Sequence, residues 1–169
     1  DGLRPAKITV NLYANGEKVA HKDITSETDW RETFTGLPEF KDGKKIVYTL
    51  QEERVENYSP SIDQESYTIT NTHTPGKTTL SVTKQWDDQE DKDGLRPKSV
   101  KVQLYADGKK SGEVIELSAE NKWTHTFANL DKHVKGKAVT YTVEEVDVPT
   151  GYQVTKTDDG QGNVVLTNK

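Results

Sequence analysis

Residues 93–110 read DGLRPKSVKVQLYADGKK, and residues 1–18 read DGLRPAKITVNLYANGEK. Two near-copies of one segment in a chain of 169 residues make this protein a repeat before anything else is known of it. In both copies apolar residues fall at every second position: Ile8, Val10 and Leu12 in the first, Val100, Val102 and Leu104 in the second. A period of two marks a strand with one face in a core. Each run ends on a strong hairpin pair, Asn15-Gly16 or Asp107-Gly108.

The match extends outward from this segment. Trp30, Phe34, Leu37 and Gly43 align with Trp123, Phe127, Leu130 and Gly136. IVYTLQEE aligns with VTYTVEEV, Tyr58 with Tyr152, and TITNT with VLTNK. No stretch carries a sustained helical period, and many short strands separated by turn signals point to antiparallel sandwiches. A polar connection with a Pro-Gly breaker, THTPGKTT, divides the chain into expected domains 1–74 and 75–169.

Composition narrows the function. The chain is 31% hydrophobic and 30% charged, so any core is thin, as in small sandwiches that keep one strand face wet. The net charge of −5 comes from interspersed acids and bases, which argues against nucleic acid as a partner. No apolar run reaches bilayer length, so no membrane insertion is expected. Cysteine is absent, which removes disulfides, cysteine zinc sites and a cysteine nucleophile. A thin-cored domain outside a cell needs some other staple.

One set of residues is chemically odd. In SVTKQWDD (81–88), Lys84 shares a strand face with Val82 and Trp86; in YTVEEV (141–146), Glu145 shares a face with Tyr141 and Val143; in VVLTNK (164–169), Asn168 shares a face with Leu166. Three polar groups from three strands are thus directed at an apolar interior. Exposure at strand ends is one reading and a buried Lys–Glu ion pair is another, but neither gives Asn168 a role. The third reading is a reaction. Burial lowers the pKa of Lys and raises that of Glu. A neutral Lys84 amine attacks the Asn168 side-chain carbonyl, Glu145 relays the protons, ammonia leaves, and an amide joins the two side chains. Such a reaction runs once per molecule, so the chain is not read as an enzyme, and it calls for no cofactor.

These residues carry a family resemblance. The strand with TKxWDD, the acidic loop into DGxRP, LYxDG, the W-T-x-T-F-type strand, YTVxE, GY and a terminal TN, found in order and largely twice, resemble the Cna B-type domains of Gram-positive surface adhesins and pilins. The resemblance implies a transthyretin-like (reverse immunoglobulin) β-sandwich and an isopeptide bond between Lys84 and Asn168 assisted by Glu145. It also implies a stalk or spacer role in a cell-wall-anchored, extracellular protein. Its partners would be other domains of the same surface protein, with host matrix contacted through a separate head domain. A collagen-like matrix-binding module is the alternative, although no exposed apolar groove is legible in the sequence.

In the first repeat, Glu52 and Asn71 match Glu145 and Asn168, but no lysine matches Lys84. Domain one is therefore expected to lack its first strand and to carry an open edge and an uncovered apolar strip. A segment boundary, cleavage or disorder would explain this, as would a strand supplied in trans by another chain.

Other candidates are weaker. Asp87, Asp88, Asp91 and Asp93 fail the EF-hand spacing and read as a solvated loop, with no metal expected. His21, His73, His125 and His133 lack ligand spacing. Asn57-Tyr58-Ser59 has the form of a sequon. Trp30, Trp123, Tyr13 and Tyr105 recur at matched positions and read as core or near-core residues.

Overall fold

The computed structural model describes all residues from Asp1 to Lys169 and is all-β apart from two single-turn 3-10 helices. It divides into two compact units, Leu3–Thr74 and Pro75–Lys169, with Asp1–Gly2 grouped with the second. Both are built as immunoglobulin-like sandwiches.

The first unit holds β1 (Lys7–Ala14), β2 (Glu17–Thr25), the two-residue hairpin β3 (Phe40–Lys41) and β4 (Lys44–Lys45), β5 (Tyr48–Glu52), β6 (Ser59–Asp63) and β7 (Thr68–Thr72). One sheet has the order β2-β1-β5, and β6 pairs with β7 opposite it. The hairpin from β1 to β2 turns at Asn15 and Gly16, whose φ values of 50° and 85° suit the turn that the Asn-Gly pair predicts.

The second unit holds β8 (Lys77–Trp86), β9 (Ser99–Ala106), β10 (Lys109–Ser118), β11 (Thr124–Asp131), the hairpin β12 (His133–Val134) and β13 (Lys137–Ala138), β14 (Tyr141–Val146), β15 (Val154–Asp158) and β16 (Asn163–Asn168). Its sheets run β10-β9-β14 and β11-β8-β16-β15. The first strand, β8, lies between β11 and the last strand, β16, and runs parallel to β16. Every other ladder in the unit is antiparallel.

The sequence period accounts for the core. Along β8, Leu80, Val82 and Lys84 are buried and the residues between them are less so. Nine apolar residues from both sheets form the second core, with Val82, Val102, Leu117 and Val143 fully enclosed. Each such side chain contributes about 1.5–3 kcal/mol. The first core has only Val10, Leu12 and Leu50 fully buried, because no strand stands where β8 stands in the second unit.

Two buried amides escape the period-two reading. Asn11 and Gln103 point away from the cores yet are 8% and 3% exposed. Gln103 Nε2 donates to the Leu104 and Ser111 carbonyls at 3.0 and 3.1 Å. Its amide occupies the irregularity between Ser111 and Ile115 of β10, where the ladder leaves carbonyls without strand partners.

A repeated local device sets up the site. Each second strand of the first sheet ends in a capping box, Thr25 with Thr28 and Ser118 with Asn121. Two left-handed residues follow, Asp29-Trp30 and Lys122-Trp123. This reversal carries Trp123 back over β8, where its carbonyl accepts the Lys84 N–H at 2.8 Å.

Candidate functional site

Lys84 and Asn168 sit on adjacent parallel strands, and Glu145 reaches them from the opposite sheet. In the β8–β16 register Leu166 stands beside Lys84 and Asn168 beside Trp86. The inward face of β16 therefore presents its amide next to the lysine side chain. All three groups are enclosed: Asn168 is 0% exposed, and the side chains of Lys84 and Glu145 are each 0% exposed.

The carboxyl bridges two nitrogens. Asn168 Nδ2 donates to Glu145 Oε1 at 2.9 Å, and Lys84 Nζ lies 3.6 Å from Glu145 Oε2. The amine also donates to the Gln85 and Leu166 carbonyls, at 2.8 and 3.2 Å. Both carbonyls are acceptors, so they can hold N–H bonds of the amine in its neutral form. Glu145 Oε2 and Asn168 Oδ1 are buried without a hydrogen-bond partner. Burial pushes the Lys84 pKa down from 10.5 to about 8, against the raising effect of Glu145 and Asp88. The fraction of free amine at neutral pH is correspondingly larger than for an ordinary lysine.

Aromatic and ionic groups close the site. The Trp86 ring lies 4.3 Å from Lys84 Nζ, flanked edge-on by Trp123 at 5.3 Å and Tyr152 at 5.1 Å. Beyond it, Arg96 grips Asp88 through both Nε and Nη2, and the Tyr152 hydroxyl donates to Asp88 Oδ2 at 2.9 Å. Asp91 in turn accepts the Arg96 backbone N–H at 2.8 Å. The Arg96 guanidinium holds the Asp88 carboxyl well below the usual carboxylate range. This corrects the reading of 87–93 as a simply solvated loop. Asp87 and Asp93 are exposed, but Asp88 and Asp91 are internal partners of Arg96, the arginine of DGLRP.

The first unit repeats half of the constellation. Asn71 Nδ2 donates to Glu52 Oε1 at 2.7 Å, and Asn71 Oδ1 and Glu52 Oε2 are buried without partners, as in the second unit. No lysine faces them. An open trough of about 940 Å³ runs past Asn71, floored by Val10, Leu12, Leu50 and Ile69. The uncovered apolar strip expected of the first repeat takes this form, a shape that was not legible in the sequence. Trp30, read as near-core, is 37% exposed at the trough's rim, since it has no counterpart of Trp86 to pack against.

A family model described as the Cna protein B-type domain matches residues 1–72 and 80–169. The chain belongs to the Cna protein B-type domain family. It is similar to the collagen adhesin of Staphylococcus aureus, at 48% identity over 169 residues, which is 100% of this chain and 14% of that protein. The chain thus spans only a small part of that relative. Among solved structures it is similar to a single B repeat unit (B1) of the collagen binding surface protein of Staphylococcus aureus, with a TM-score of 0.54 and 48% identity. That match covers 99% of this chain and 89% of the other. A two-repeat structure (B1B2) of the same protein matches with the same score and identity over 44% of its length.

For this Cna B-type chain, the sequence named the three inner residues and placed Trp86 on their face, but it read Asp88 as solvated and gave no role to Arg96 and Tyr152, which close the site with them. Their signals were present as the WDD, DGLRP and GY motifs. Nothing in those motifs alone says that they meet.

Proposed function

We propose that this chain is a two-repeat spacer segment, 1–74 and 75–169, of a cell-wall-anchored surface protein of a Gram-positive bacterium. Its second repeat would be locked by a self-formed amide between Lys84 and Asn168. The observation that carries the chemistry is the single buried carboxyl with one oxygen towards the attacking nitrogen and the other towards the leaving nitrogen.

The step balances without a cofactor or an oxidant. The Lys84 Nζ lone pair attacks Asn168 Cγ. One Nζ proton passes through Glu145 to Nδ2. The Cγ–Nδ2 bond breaks, and ammonia leaves. Folding holds the partners together, and such proximity can replace about 7–11 kcal/mol of a barrier. The reaction consumes its own side chains, so it turns over once and the chain is not an enzyme.

As a spacer, the segment would act with other domains of the same surface protein, and contact with host matrix would belong to a separate head domain. Collagen binding is what the relative's name records, and the spacer reading expects none from this segment. The test is the intact mass of the purified chain under denaturing conditions. A deficit of one ammonia, mapped to a cross-linked peptide pair containing Lys84 and Asn168, supports the proposal. Full mass in well-folded protein sinks it.

A further inference from the structure

The proposed amide formation makes a demand that Lys84, Asn168 and Glu145 do not meet among themselves. When the amine adds to Asn168 Cγ, the carbonyl electrons move onto Asn168 Oδ1, and a buried negative charge is costly unless a donor meets it. Glu145 is not placed to be that donor. Its two oxygens face the two nitrogens, Nδ2 at 2.9 Å and Nζ at 3.6 Å. We infer that the indole N–H of Trp86 is the oxyanion donor of this site. The inference rests on the reaction proposed above.

The first observation is a matched pair of unsatisfied atoms. Trp86 Nε1 is a buried donor without a hydrogen-bond partner, and Asn168 Oδ1 is a buried acceptor without one. Every other unpartnered buried side-chain atom in the chain is an acceptor. Buried indole N–H groups ordinarily find an acceptor, so one that has none calls for a reason.

The second observation is register. Trp86 and Asn168 are direct partners in the parallel β8–β16 ladder. Neighbouring strands lie about 4.8 Å apart, and paired residues turn their side chains to the same face. The indole therefore stands beside the amide, on the strand face it shares with Lys84. The third observation is that the other side-chain donors around the amide are engaged. Lys84 Nζ donates to the Gln85 and Leu166 carbonyls, and the Tyr152 hydroxyl and the Arg96 guanidinium are bound to Asp88.

The ring is fixed before the reaction starts. Trp123 and Tyr152 meet it edge-on, at interplanar angles of 79° and 72°, and Lys84 Nζ and Arg96 Cζ lie over it at 4.3 and 5.4 Å. A donor that is already held needs no reorganisation as charge develops. The clasp of Asp88, Arg96 and Tyr152 thereby acts on the chemistry through Trp86. The indole keeps its proton throughout. As the Nζ–Cγ bond forms, the carbonyl π pair becomes a lone pair on Oδ1. That pair returns as the Cγ–Nδ2 bond breaks, and ammonia leaves with the proton that Glu145 relays.

The test needs a chain that has not yet reacted and a tryptophan that has lost only its N–H. The chain has no cysteine, so it can be assembled by ligation at alanines with desulfurisation, kept in denaturant and started by dilution. The parent is compared with a chain carrying benzothienylalanine in place of Trp86, in which sulfur replaces the N–H and the ring face is kept. A chain with the same analogue in place of Trp30, in the other unit, controls for the synthesis. Trp86→Phe, which also lacks the N–H, covers the case in which the analogue chain does not fold. Folding is read by circular dichroism. Ammonia loss is followed by intact mass between about pH 6 and 9, either side of the Lys84 value of about 8.

At Trp86 the exchange is expected to slow amide formation about 100-fold or more, the scale of a lost oxyanion donor, with the midpoint of the pH–rate profile unmoved. At Trp30 the parent's rate is expected. An analogue chain that folds and reacts as fast as the parent overturns the inference and leaves the proposed bond standing. A slower reaction with a displaced midpoint also overturns it, since the ring would then act through the charge on Lys84. A parent chain that folds and never loses ammonia overturns the bond itself, and the oxyanion donor with it.

Discussion

At the scale of the residue, the properties of Lys84 come from its enclosure. A lysine ammonium in this position gives up hydration for two carbonyls and a carboxyl at 3.6 Å, and desolvation wins, taking its pKa to about 8. The lowered folded value fixes the sign of a pH effect. Between about pH 8 and 10.5 the unfolded chain binds the proton that the folded chain has released, so stability of the uncross-linked domain rises with pH across that window. A shift of this size is worth about 3 kcal/mol. The proposed amide would remove this titration from Lys84. The Asn168→Ala variant is therefore expected to gain stability in denaturant titrations from pH 8 to 10.5, and the parent chain is expected to show a flat profile there. A flat profile in both would contradict the burial argument. The same variant tests the bond's contribution. Closing the span from Lys84 to Asn168 is worth about 4–5 kcal/mol by analogy with disulfide loop entropy, or at least about 15 °C in the melting temperature of a domain this size. Calorimetry of parent and variant reads that difference.

At the scale of the element, β8 ties the second unit together. It contributes Leu80 and Val82 to the core, Lys84 to the site and Trp86 to its cover, and it bridges β11 and β16. The turn that follows β8 is held by Asp88 on Arg96 and Tyr152, so strand, loop and the segment before β9 are pinned together. The depressed Asp88 carboxyl contributes stability that is present above the ordinary carboxylate pKa of about 3.9 and is lost as pH falls towards its folded value. Asp88→Asn is expected to lower the stability of the second unit at pH 7 and to flatten its decline between pH 4 and 2. Acid titration followed by tryptophan fluorescence checks this through Trp86 and Trp123, which lie beside the clasp. An unchanged acid limb would show that Asp88 does not carry the linkage.

At the scale of the whole molecule, the pairing of β8 with β16 sets the response to force. The two strands are parallel neighbours, so the start of β8 and the end of β16 lie at opposite ends of the pair, and tension loads the ladder in shear. An amide from Lys84 to Asn168 would carry the load along β8, across one bond and out at Lys169, leaving the intervening chain unstretched. Single-molecule pulling is expected to show no extension from the locked span, whose contour would otherwise be about 290 Å at ~3.4 Å per residue. The Asn168→Ala variant is expected to release that length. Release by the parent chain would contradict the load path.

The sequence by itself determined the repeat, the all-β class, and the inward parity of Lys84, Glu145 and Asn168. These are properties of a period of two and of internal matching, which need no third dimension. Only the tertiary structure decided that β8 and β16 are parallel neighbours, that Glu145 crosses from the other sheet, and that Arg96 turns an acidic loop into a clasp. It also decided that the first unit's exposed strip is a trough with Trp30 at its rim and a buried, half-satisfied carboxyl–amide pair beside it. The physical reason is range. Strand periodicity is set by neighbours along the chain, whereas each of these contacts joins residues whose separation in sequence carries no local signal. Gln103 marks the same limit: its outward parity was legible, and the β10 irregularity that buries it was not.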